Sequence, residues 1–205
     1  MPDCAKVPPH RARPYPPVDL SLAFPTALRP AVTALTTSAA WNPGHNVGTF
    51  DVMLCGEQVW IPNRVYFFQR VVWGIGDERT ALDNGIAWCI GTRHHSGYVR
   101  EECLRHLLSA PQAWMAPFIV QLIGEYVVEI VQPIAAALAA PDPRLRAALA
   151  GFVRENPRHL DTIERRVISY WSYYYRGQYP DRTCYPGALA VARLRAMAQE
   201  QAHSD

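Results

Sequence analysis

From Ala116 to Ala139 almost every position is apolar, with Phe118, Ile119, Val120, Leu122, Ile123, Val127, Val128, Ile130, Val131 and Ile134 closely spaced. A segment apolar on all sides belongs either in a bilayer or at the centre of a globular fold. Gln121, Glu125, Glu129 and Gln132 decide between these, because an acidic group at mid-bilayer costs about 2.5–3.5 kcal/mol on the insertion scale. The segment is therefore expected to be one long central helix, about 116–139, with Pro117 near its start and the four polar residues forming a narrow stripe. No membrane span is expected.

The spacing around this segment is helical as well. Asp77 is a candidate cap for a helix over about 78–91, and Ser96 for one over 98–109 in which Val99, Cys103, Leu104, Leu107 and Leu108 share a face. Pro141-Asp142-Pro143 restarts the chain into a helix over 143–154, and Asn156-Pro157 opens another over 157–176. The stripe of that helix is Leu160, Ile163, Val167, Trp171 and Tyr174, and a last helix follows over about 186–201. Successive helices joined by short loops predict an all-α domain of stacked antiparallel pairs, either HEAT-like or an irregular bundle.

The first residues differ. Eight prolines within residues 1–30 exclude a long helix or a central strand, so residues 1–45 read as a Pro-rich extended arm, with a short helix expected over 31–40. Residues 46–205 then form a single helical domain opened by a β-hairpin at about 50–61, whose strands flank Cys55-Gly56-Glu57. Residues 63–73 are apolar and β-branched and read as irregular or briefly helical.

Bulk properties narrow the function. A net charge of +2 sets up no field that recruits nucleic acid or an acidic membrane, and Lys6 apart every cation is an arginine. Five scattered cysteines without CxxC spacing fit neither a disulfide framework nor a thiolate zinc site, and the N-terminal residues lack the apolar core of a secretory leader. A cytoplasmic protein is expected. Phosphate-loop, nucleophile-elbow, HExxH and dinucleotide fingerprints are all lacking in the sequence, so no cofactor and no metal are assigned.

Ser96-Gly97-Tyr98-Val99-Arg100-Glu101-Glu102-Cys103-Leu104 resembles the inter-helix turn and second-helix start of a HEAT/armadillo-like repeat, with Cys103 in the small-residue place. The resemblance covers about residues 81–109 and implies antiparallel helix pairs stacked side by side.

Two clusters carry chemistry. Glu125 and Glu129 would repel each other one turn apart and need cationic partners, for which Arg93, His94, His95, Arg100, Arg64 and the arginines of 157–176 are candidates. In one reading they form a Glu–Arg network orienting helices. In the other they share a cleft with the Arg93-His94-His95 turn and act as acid/base groups or metal ligands. The second cluster is the run Arg165 to Arg176, whose Arg165, Arg166, Tyr173 and Arg176 are left for other faces once the stripe is turned inward. Arginine interleaved with tyrosine suits a protein-binding hot spot, with nucleic acid the lesser fit. The leading expectation is a protein-binding, adaptor or regulatory helical module, the rival an enzyme or metal-binding protein built on Glu125 and Glu129. Oligomeric state stays open.

Overall fold

The structure is a computed structural model describing residues 19–37, 41, 48–67, 69–74 and 78–202. Residues 1–18 of the expected arm, and Asp77 as a cap, lie outside the described residues. It is mostly helical, with one two-stranded antiparallel sheet.

The hairpin pairs β1 (Thr49–Leu54) with β2 (Glu57–Pro62), in register from Thr49 opposite Pro62 to Leu54 opposite Glu57. Cys55 and Gly56 make a two-residue turn with φ of +54° and +79°, the left-handed pair of a type I′ turn that matches strand twist. Alternation sends Val52, Leu54, Val59 and Ile61 into the core and leaves Met53 and Trp60 outside.

Residues 19–36 do not run as an extended polyproline strand. Two short 3-10 turns, Leu20–Ala23 and Thr26–Leu28, lead into α1 (Arg29–Thr36), which opens with Pro30 in its first turn, where no amide donor is needed. Phe24 is fully buried and stacks on Phe118 at 5.2 Å, so this stretch belongs to the core. A four-residue helix, α2 (Arg70–Trp73), follows the hairpin. Helix α3 (Ala81–Gly91) begins at a capping box in which Thr80 and Asp83 exchange side-chain and backbone hydrogen bonds. It packs on α4 (Gly97–Ser109). Ser96 holds the N-cap position of α4 without a side-chain cap bond.

The expected single helix over 116–139 is in fact two, α5 (Ala116–Ile123) and α6 (Val128–Ala137). The break falls at Gly124, where α8 (Pro157–Tyr170) crosses: a Cβ there would meet Ile163 Cδ1 at 3.1 Å and Arg166 Cδ at 3.3 Å. Leaving the helix lets Glu125 turn its carboxylate toward arginines instead of burying it in apolar surroundings. Two of the backbone groups at the break are bound by one hydroxyl. Tyr175 donates to the Tyr126 carbonyl at 2.6 Å and accepts from the Val128 amide at 3.2 Å.

Every residue of α5 is buried, and α6, α7 (Pro143–Glu155), α8 and α9 (Pro186–Ala202) surround it. Beyond Tyr170 the chain winds one π-helical turn, Trp171–Tyr175. That wider turn shifts the register, so Tyr175, not the expected Tyr174, continues the inward stripe from Val167 and Trp171. Among the described residues no helix is long and apolar enough to cross a membrane.

Candidate functional site

Glu125 is 5 % exposed and sits between two guanidiniums. Arg64 Nη2 lies 2.7 Å from both carboxylate oxygens, and Arg100 Nη2 approaches Oε2 at 3.4 Å. Arg64 comes from the extended segment after β2, and Arg100 from the first turn of α4, where it also donates to the His94 and His95 carbonyls at 2.9 Å. Removing either cation would leave a buried carboxylate short of a partner. With its oxygens held this way, Glu125 ties together three segments of chain: the break that carries it, the segment after β2 and the start of α4.

Glu129 stands apart from this network. It opens α6, is exposed, and shares no helix with Glu125, so the polar stripe expected along one helix does not form. Gln121 is buried on α5 and Gln132 is exposed on α6, donating to the Tyr179 hydroxyl at 3.4 Å.

The Arg93-His94-His95 turn lies beside Arg100, which donates to its carbonyls, and most of its own groups are engaged. Val65 and His94 form a parallel bridge, the Val65 amide donating to the Arg93 carbonyl and the His95 amide to the Val65 carbonyl. His94 uses both ring nitrogens: Nε2 lies 2.8 Å from the Phe67 carbonyl and Nδ1 accepts from the Ser96 amide at 3.1 Å. That pattern fixes the neutral tautomer, and burial pushes its pKa below the ordinary imidazole value. His95 is exposed and stacks on Tyr66 at 5.2 Å. Among the described residues no three His, Cys, Asp or Glu side chains come together as a metal ion would need.

Arg93 is among the largest fully buried side chains of the described residues. It donates to the Pro62 and Asn63 carbonyls at 3.1 and 2.7 Å, and its guanidinium lies 5.9 Å from the Phe50 ring. Burial first, then the charge of Arg64, lowers its pKa to about 9. Phe50 in turn stacks on His159 at 5.2 Å. His159, in the first turn of α8, is pulled down to about 4 by burial, then by Arg166 and Arg93. No local spacing in the sequence links His159 to Arg93, which lie far apart in the chain.

A second region lies at the end of α8. Tyr126, Tyr173 and Tyr174 are exposed, and with Tyr170 they form one cluster of ring contacts. Arg165, Arg166 and Arg176 are exposed on the same stretch of chain. Arg176 rests over Trp171 at 5.3 Å and donates to the Ser172 hydroxyl, while Arg165 donates to Thr162. The four residues expected at a partner surface, Arg165, Arg166, Tyr173 and Arg176, are thus all solvent-facing, though each sits differently. Tyr126, Tyr170 and Tyr174 were missed there. Tyr174 was assigned to the core because a uniform α-helical period does not anticipate the π turn.

Two cavities of about 370 Å³ flank α7. One is lined by Leu54, Cys55, Pro111, Ala148 and Phe152, and the other by Asp51, Gln58, Asn156, Arg158 and His159. Compared with known proteins, the chain matches no family model, no curated protein and no solved structure.

Proposed function

We propose that this protein is a cytoplasmic protein-binding module, adaptor or regulatory in role. Its contact face is the tyrosine cluster of Tyr126, Tyr170, Tyr173 and Tyr174 with its neighbouring arginines. The observation that carries this reading is the exposure of Tyr173, 81 % in a cluster where the rings already touch one another. Tyrosine and arginine dominate binding hot spots because they offer large contact area and hydrogen bonds at low entropic cost. A π turn at the centre of the face adds support, since such turns recur at functional sites. The arginines favour a partner that presents carboxylates. The stacked helix pairs would serve as the rigid support for this face.

The rival reading as an enzyme built on Glu125 and Glu129 has less to support it, because Glu125 is held by two arginines and Glu129 stands exposed at the start of α6, outside that network. Site-specific photocrosslinking tests the proposal. A photoreactive phenylalanine analogue at Tyr173 is expected to capture a discrete protein in host cells, while the same analogue at Trp60, on the outer side of the hairpin, captures none. Equal capture at both positions, or none at Tyr173, would overturn it.

A further inference from the structure

We infer that the outer edge of β1 is a docking site for an extended peptide, which adds to the hairpin as a further strand with a basic side chain opposite Asp51. Among the described residues the sheet holds β1 and β2 alone, so β1 has no strand on its other side. Residues of an antiparallel strand alternate between bonding the neighbour and turning both backbone groups away from it. The Asn63 amide donates to the Gly48 carbonyl at 2.9 Å, and with Thr49 opposite Pro62 this sets the alternation: Thr49, Asp51 and Met53 face outward.

Asn156 shows what this edge accepts. Its side-chain carbonyl accepts from the Met53 amide at 2.8 Å, and its side-chain nitrogen donates to the Met53 carbonyl at 2.7 Å. Those are the two bonds that a residue of a neighbouring strand would make. Two residues along, the same groups of Asp51 have no hydrogen-bond partner among the described residues, and Thr49 repeats the pattern. Both residues are exposed. Room for a backbone lies beside them, in the cavity of about 370 Å³ lined by Asp51, Val52 and Met53 of β1 and by Pro157, Arg158 and His159 of α8.

An extended peptide is the occupant that fits, because only another extended backbone supplies donor and acceptor at this spacing. A second copy of the chain fits poorly. Its own edge is walled by the same turn of α8, and pairing about Asp51 would set two carboxylates directly opposite each other, where like charges repel. A lysine or arginine opposite Asp51 obeys the same rule with the opposite sign. Asp51 and Glu155 also outnumber Arg158 among the charged residues that line the cavity. The added strand lies two strand spacings, about 10 Å, from the backbone of β2 and so from that of Trp60.

The test uses the purified full chain and reads β1 itself, so it is independent of the tyrosine face. A blocked peptide, acetyl-Thr-Val-Lys-Val-Thr-amide, is titrated to millimolar concentration and followed by backbone amide NMR. Saturable shifts are expected at the Asp51 and Thr49 amides, with hydrogen exchange at both slowed in proportion to the fraction bound. The same peptide N-methylated at its lysine, which cannot donate to the Asp51 carbonyl, should bind roughly tenfold more weakly. Asp51→Lys should reverse the charge preference, binding the glutamate version of the peptide more tightly than the lysine version. The inference is overturned if the lysine peptide leaves Asp51 and Thr49 unshifted, if N-methylation changes nothing, or if Asp51→Lys still prefers lysine. A concentration-dependent dimer that protects Asp51 without any peptide would overturn it in favour of a second copy.

Discussion

Arg64 places one nitrogen, Nη2, 2.7 Å from each oxygen of Glu125, so a single side chain from the post-hairpin segment closes the gap between α5 and α6. Glu125→Gln would keep the shape and leave Arg64 and the buried Arg100 without their counter-charge. Loss of one partner from a buried pair costs about 3–5 kcal/mol, while Glu129→Gln, at an exposed position, should cost under about 1 kcal/mol. Urea unfolding of the two variants measures the contrast as a difference in midpoints.

Tyr175 bridges the same break from α8's continuation. Tyr175→Phe deletes the hydroxyl that serves both the Tyr126 carbonyl and the Val128 amide. The expected loss is about 1–2 kcal/mol, with faster hydrogen exchange at Val128 while the α9 amides keep their protection.

Acid should destabilise the fold through histidine before the carboxylates titrate. His159 falls to about 4 in the folded state, from an ordinary value of 6.5, and His94 is lowered too, both mainly by burial. Between those values the unfolded chain binds more protons, so stability is full above pH 6.5 and declines as pH drops toward 4. His159 contributes at most about 3 kcal/mol to this decline. His159→Gln should flatten the curve in that window, as read from unfolding midpoints at successive pH values.

Gly91, at the end of α3, lies directly against Cys103 of α4. An added Cβ would collide with Cys103 Sγ and meet Val72 Cγ1 at 2.9 Å. Gly91→Ala should cost about 1–3 kcal/mol by overpacking, and Cys103→Ala in the same chain should recover part of it. A double-mutant cycle from thermal melts gives the coupling.

What could be read from the residues follows from how local each signal is. The hairpin was legible because its alternation and its Cys55-Gly56-Glu57 connection lie within about a dozen residues, although Glu57 proves to be the first residue of β2. Helices α7 and α9 were legible from their opening prolines and apolar spacing. The break at Gly124 was not, because it depends on α8 crossing there and on Arg64 and Arg100, both distant in sequence. Arg64 and Arg100 were among the cations expected to serve the glutamates, yet periodicity could not show that only Glu125 would meet them. Of the tyrosine cluster only Tyr173 was legible, from the run Arg165 to Arg176; Tyr174 was turned inward by the uniform helical period, and Tyr126 joins from the other side of the break.

The account rests on the tyrosine face as the working surface, and one comparison tests it most directly. Tagged wild-type chain and a Tyr173→Ala/Tyr174→Ala variant, checked for equal melting temperature, are used to recover partners from the same host extract. The account predicts that a stoichiometric partner accompanies the wild type and is lost from the variant. Recovery of the same partner by both proteins would contradict it.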